Sequence, residues 1–171
     1  MRKVRILLFI IFISPIISMA QATPRDGVKA LLTWLDVGKI PDESQCYEGE
    51  GYVITKIDYR CFEKHLAKIE KTKIFSKVYL ASLRNEVIEK NKQIEKQKYA
   101  DALEADRYTL SQDPPTGKEL MVGLPAALVT TNRNKATVIL KITKPYKHSI
   151  KYLLDLEDGV WRISAIQQHE P

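Results

Sequence analysis

Tyr152-Leu153-Leu154-Asp155-Leu156-Glu157-Asp158-Gly159-Val160-Trp161-Arg162-Ile163-Ser164 decides the fold class of this chain. Ile150, Tyr152, Leu154 and Leu156 alternate with Lys151 and Asp155, the period of a strand with one buried face. Asp158-Gly159 follows at once, and both positions tolerate positive φ, so the pair forms a tight two-residue hairpin link. Val160 to Ile166 reads as the return strand, with Trp161, Ile163 and Ala165 facing together. Upstream, Ala136 to Ile142 is a further strand, with Val138, Leu140 and Ile142 on one face and Thr137 and Lys141 on the other. Asn132-Arg133-Asn134 reads as the turn before it. Leu120 to Thr130, with Met121, Val122, Leu124, Leu128 and Val129, is expected to be a broken strand in which Gly123 and Pro125 mark a bulge or edge.

Helical spacing precedes these strands. Pro24 stands just inside a helix start, and Val28, Leu31, Leu32 and Leu35 recur at i, i+3, i+4 and i+7 with Trp34 and Val37 widening the stripe. Gly38 and Pro41 stop it. Asp42 to Gly51 is polar and leads into the strand-type run Tyr52 to Ile57. Asp58 is the expected N-cap of a second helix carrying Phe62, Leu66 and Ile69. A third helical run has Phe75, Val78, Tyr79, Leu83 and Val87 on one side. Beyond Ile88 it becomes a polar stretch, Glu89 to Lys98, read as a solvated face, with Glu86 and Lys90 spaced to pair across one turn. Helices first and an antiparallel meander afterwards predict an α+β layer, amphipathic helices laid across one face of a curved sheet. Strands of opposite sense joined by short turns exclude a doubly wound parallel sheet.

Residues 1–22 read as an export signal. Arg2, Lys3 and Arg5 make a basic start, Ile6 to Ile17 a short apolar run, and Ala20-Gln21-Ala22 a small-x-small exit. A membrane-spanning helix needs about 20 apolar residues, so the run is short for a span, although an uncleaved N-terminal anchor is the alternative. Residues 23–171 then form one domain with no stable membrane span. Without the signal the net charge falls from +6 to +3, since the segment holds three basic residues and no acid. That mild balance argues against a nucleic-acid partner, which draws a concentrated basic face. Cys46 and Cys61 both lie in the exported part, where an even pair reads as one structural disulfide.

The helix around Leu31-Leu32-Thr33-Trp34-Leu35, the segment from Asp106-Arg107-Tyr108 through Ser111-Gln112-Asp113-Pro114, and the ending Tyr152 to Ser164 together carry a resemblance. The chain resembles the cystatin-like cone of the nuclear transport factor 2-like superfamily, and within it a bacterial family of exported domains of unknown function. The resemblance implies a cone-shaped α+β fold. Such folds host isomerases, dehydratases, binding modules and inhibitors, so the resemblance selects no activity.

His65, His148 and His169 stand in no metal spacing, and no serine-nucleophile motif or phosphate-binding glycine loop occurs. No cofactor or metal is expected. The richest chemical stretch is acidic, Asp101, Glu104, Asp106 and Asp113 around Tyr108. The cone resemblance implies a carboxylate base and a tyrosine donor in the cavity between helices and sheet, roles open to Asp106, Tyr108 and Asp113. Turn formation explains the same residues equally well. Trp34, Tyr79, Val138, Leu140 and Trp161 are the candidate cavity lining, with core packing as the alternative.

Export, one disulfide and the lack of a catalytic constellation point first to a non-enzymatic binding domain. It would engage a protein partner in the periplasm, as immunity proteins against secreted bacterial toxins do. A ligand-binding or enzymatic cone is the second reading. A cell-envelope adaptor using Glu89 to Lys98 is the third.

Overall fold

The computed structural model describes residues 22–38, 40–103, 105–143 and 147–169. The export reading of residues 1–22 lies outside them but for Ala22. The fold is α+β. Helix α1 (Pro24–Asp36) opens as expected, with Pro24 in its first turn and a reciprocal capping box in which Thr23 and Asp26 satisfy each other's backbone donors. Val28, Leu31 and Leu32 are buried, while Val37 is exposed and does not widen the stripe.

Strands β1 (Tyr47–Glu50) and β2 (Val53–Ile57) form a hairpin ahead of helix α2 (Tyr59–Lys71), which Asp58 caps by accepting from Cys61 N at 2.9 Å. Helix α3 (Lys77–Gln97) begins at Ser76, so Phe75 lies before it. Phe75 instead borders the later sheet, where Ser76 N donates to Ile163 O and Ile163 N donates to Ile74 O, both at 2.9 Å. Val78, expected on the buried side, is 58 % exposed because its neighbour Tyr79 takes the inward position. Strand β3 (Ala100–Asp101) adds to β2, making a small antiparallel sheet in the order β1-β2-β3 that the sequence reading did not contain.

The stretch Leu120–Thr130 is corrected. Residues Gly117–Gly123 form helix α4, a 3₁₀ turn covers Leu124–Ala126, and strand begins only at Leu128. The cause is a second capping box: Thr116 Oγ1 accepts from Glu119 N, and the Glu119 carboxylate accepts from Thr116 N at 2.8 Å. This box starts a helix in spite of the strand-like residues behind it.

The meander of β4 (Leu128–Asn132), β5 (Lys135–Ile142), β6 (His148–Glu157) and β7 (Val160–Gln168) is wholly antiparallel in chain order. Asp158 and Gly159 both have positive φ, 52° and 76°, as their hairpin link requires. A register shift at Leu153/Leu154 corrects one face assignment: Leu154 pairs with Ile163 but Leu153 with Ala165. Directly opposed residues share a face, so Ala165 joins Leu153 away from the core and Ile166, opposite buried Tyr152, turns inward. Helix α1 packs on all four strands, with α4 against β5 and α3 against β7. The core is the layer between them, including Leu31, Leu32, Leu140, Tyr152, Leu154 and Ile163.

Gly117 marks the tightest joint between α1 and α4, for a Cβ there would stand 1.9 Å from Leu32 O. Backbone cannot yield as a side chain can. Gly117→Ala is expected to lower stability by about 2 kcal/mol through overpacking, read as a reduced midpoint in urea unfolding.

Candidate functional site

The Cys46–Cys61 disulfide forms as expected, with Cα atoms 5.3 Å apart. It joins a 3₁₀ turn (Glu43–Cys46) to the first turn of α2, and Asp58 N donates to Cys46 O at 2.8 Å beside it. The β1–β2 hairpin is thereby closed at its foot. A loop of this size contributes about 3 kcal/mol in the chain-entropy model.

Three of the expected cavity residues do come together, but as packing. Trp34 meets Phe75 edge-on at 5.8 Å and Tyr108 at 5.5 Å, while Phe75 stacks on Tyr79 at 4.5 Å. These rings fill the space between α1, α3 and the 102–116 connection. Trp161 is buried in the same core, as are Val138 and Leu140, yet among the described residues it makes no ring pair with this cluster. Burial pushes the Tyr79 and Tyr108 hydroxyls well above the ordinary tyrosine range, so both stay neutral.

Asp106 builds a turn. One carboxylate oxygen accepts from Tyr108 N at 3.0 Å, Thr109 N at 2.7 Å and Thr109 Oγ1 at 2.8 Å. Asp113 is exposed, its N–H bonded to Ser111 Oγ and its carbonyl accepting from the same hydroxyl. Asp106, Tyr108 and Asp113 therefore do not converge: Asp106 is held in its turn through one carboxylate oxygen, Tyr108 is packed and Asp113 is exposed.

The charged centre of the molecule lies one residue away, at Arg107, which the sequence reading passed over. Its guanidinium donates to Glu86 at 2.6 and 3.1 Å and to Glu43 at 2.8 Å. Glu86 also holds Lys90 Nζ at 3.2 Å, the pair expected from i,i+4 spacing but turned inward. His65 Nε2 stands 3.9 Å from Glu43. Burial opposes the charge on Arg107, but the hydrogen bonds and charges of Glu86 and Glu43 outweigh it and raise its pKa above the usual arginine value. Burial likewise opposes the Glu86 charge, and Arg107 and Lys90 still hold its pKa below the usual carboxylate range. For His65 burial prevails and lowers the pKa, with Glu43 pulling the other way.

An open cleft of about 400 Å³ adjoins this centre, bordered by Tyr79, Leu83, Leu103, Asp106, Arg107, Leu110 and Ile166, so Tyr79 and Asp106 of the expected cavity residues do line a cleft. On and beside the small sheet Tyr52, Val53, Tyr99 and Leu103 are all exposed. Among the described residues no group of three His, Cys, Asp or Glu side chains is placed to hold a metal ion. Among the same residues no helix is long and apolar enough to cross a membrane.

Replacing Arg107 with methionine leaves Glu43 without its arginine and Glu86 with Lys90 alone as counter-charge. At neutral pH the variant is expected to lose about 2–3 kcal/mol, the low end for a broken buried pair because Glu86 keeps some solvent. The folded pKa of Glu86 lies below its unfolded value, so the wild-type advantage is present above the ordinary carboxylate range and fades as pH falls through it. Urea unfolding of both proteins at neutral and acid pH reads the narrowing gap.

No protein-family model and no curated protein matches the chain. Among solved structures it is similar to a chain of the type VI effector-immunity complex Tae3-Tai3 from Ralstonia pickettii. The identity is 12 % and the TM-score 0.47, over 87 % of this chain and 98 % of that one. At that overlap the likeness has no bearing on function.

Proposed function

We propose that this chain is an exported, non-enzymatic domain that binds a protein partner in the bacterial periplasm, as an immunity protein does against a toxin delivered by a competing cell. Its scaffold on this reading is a cystatin-like cone. The observation that carries the binding role is the small sheet and its flanks, where Tyr52, Val53, Tyr99 and Leu103 are large apolar side chains exposed to solvent on a disulfide-closed unit. The bridge itself supports export, because such bonds persist in oxidising compartments. The ring cluster of Trp34, Phe75, Tyr79 and Tyr108 packs between α1 and α3 beside the open cleft at Arg107, and one oxygen of Asp106 is held in a turn. The helix stretch Glu89 to Lys98 has Lys92 tied to Glu89 at 2.7 Å and Lys90 turned toward Glu86, which leaves Lys96 and Lys98 as the exposed basic residues for an adaptor role.

The test is co-purification of residues 23–171 with a secreted effector encoded beside its gene, followed by gel filtration and native mass spectrometry. A complex that survives both steps is expected, together with protection of cells that carry the effector in the periplasm. Protection should disappear when residues 1–22 are deleted. Failure to associate with any product encoded next to the gene would contradict the proposal.

A further inference from the structure

We infer that the outer face of the β4–β7 meander, turned away from α1, α3 and α4, is a second interaction surface, and that it takes a protein partner whose own apolar strip is edged by aspartate or glutamate. This goes beyond the effector-binding role proposed above and uses residues on which that role does not call.

The register defines the face. Ala136, Val138, Leu140, Ile150, Tyr152 and Leu154 are buried toward the helices, so the residues between them look outward. Leu128 stands opposite Ile139, and Leu153 stands opposite Ala165. Ile139 pairs with Lys151, two residues before Leu153, which makes Ile139 and Leu153 diagonal neighbours. The four side chains thus form one oblique apolar strip across all four strands. None of them joins the core or packs against it: Leu128 is 58 % exposed, and Ile139, Leu153 and Ala165 are half-buried. A sheet face left to water ordinarily carries polar residues, as Thr130 and Thr137 do beside the strip. At the Leu153/Leu154 bulge a shallow hollow of about 200 Å³ opens among Thr130, Thr137, Leu153, Asp155 and Ser164.

Charge selects the occupant. One flank of the strip carries Lys141 and Lys151, which form no ion pair among the described residues. Exposed Lys147 stands at the same end, and residues 136–154 hold four lysines and no aspartate or glutamate. On the other flank the charges cancel: Lys135 meets Asp155 at 3.8 Å, Arg162 meets Glu157 at 3.6 Å, and the hairpin turns add Arg133 and Asp158. Asp106 and Asp113 belong to the connection on the helix side of the sheet, where Tyr152 Oη donates to Tyr108 O at 3.4 Å. A second copy would meet Lys141 and Lys151 with the same lysines or with ion pairs already made. A nucleic acid draws a broad basic face, which a few lysines beside an apolar strip do not provide. A bilayer takes apolar side chains that project into it, and Ile139 and Leu153 are half-buried in the sheet. A protein surface with an apolar centre and acidic residues along one edge matches both the strip and its free lysines.

The experiment needs no native partner. A short synthetic peptide alternating glutamate with leucine and phenylalanine is titrated into isotopically labelled protein, residues 23–171, at low salt, and amide shifts are followed by NMR. Vesicles of phosphatidylglycerol and phosphatidylethanolamine are titrated in parallel. The expected result is that peptide shifts map to residues 128–141, 149–155 and 162–167, and that Lys141→Glu/Lys151→Glu weakens binding about tenfold or more. Leu128→Ser, at an exposed position and without a change of charge, should weaken it about threefold or more. Lys64→Glu/Lys68→Glu makes the same charge change at exposed sites on α2 and should retain most of the affinity. Shifts elsewhere, no association with the peptide, equal weakening by the two double variants, no effect of Leu128→Ser, or association with vesicles alone would overturn the surface. None of these outcomes bears on the effector complex, whose own test leaves Lys141 and Lys151 untouched.

Discussion

Arg107 joins three parts of the chain at one buried charge. Its guanidinium reaches Glu43, 64 positions earlier, and Glu86, 21 positions earlier, in one planar fork. Taking that charge out of water is unfavourable, and only the paired carboxylates offset it. The geometry leaves few alternatives, because a bidentate arginine demands its partners at fixed angles as well as distances. Glu43 belongs to the turn that ends at the disulfide, so fixing it fixes the foot of the β1–β2 hairpin against α3. The next residue, Tyr108, enters the ring cluster with Trp34 and Phe75 and so ties the same connection to α1.

The molecule thus has two tiers with different physics. The meander and α1 are held by apolar burial, with Leu31, Leu32, Leu140, Tyr152 and Ile163 almost wholly removed from water. The smaller tier of β1, β2 and β3 has only Ile54, Ile57 and Ala100 to bury, too little to stand alone, as isolated hairpins rarely do. A covalent bridge and a buried ion network supply what its apolar contacts lack. That division frees much of the small sheet from any duty to the core, and on and beside it Tyr52, Val53, Tyr99 and Leu103 meet solvent.

What the sequence made legible was whatever depends on near neighbours. The period-2 strands β5 to β7, the Asp158-Gly159 link, the Pro24 helix start and the Asp58 cap are all local patterns, and each stands where its pattern put it. Helix α4 was misread because Leu120, Met121 and Val122 resemble a strand, while the Thr116/Glu119 capping box just before them settles the matter. β1 and β3 were missed since two- and four-residue strands draw their stability from pairing with β2 and carry no period of their own. Asp106 looked like a candidate base, yet the structural weight of that tripeptide falls on Arg107, whose carboxylate partners no local spacing reveals. The displacement of Ala165 by a bulge is likewise set by its partner strand.

Backbone amide exchange in the wild type and in Arg107→Met tests the central claim most directly. If Arg107 anchors the smaller tier, amides of residues 47–57 should exchange about tenfold faster or more in the variant, while those of β5, β6 and the inner part of β7 keep their protection. Unchanged exchange in the hairpin, or uniform acceleration through both tiers, would contradict the claim that one arginine fixes this unit to the rest of the fold.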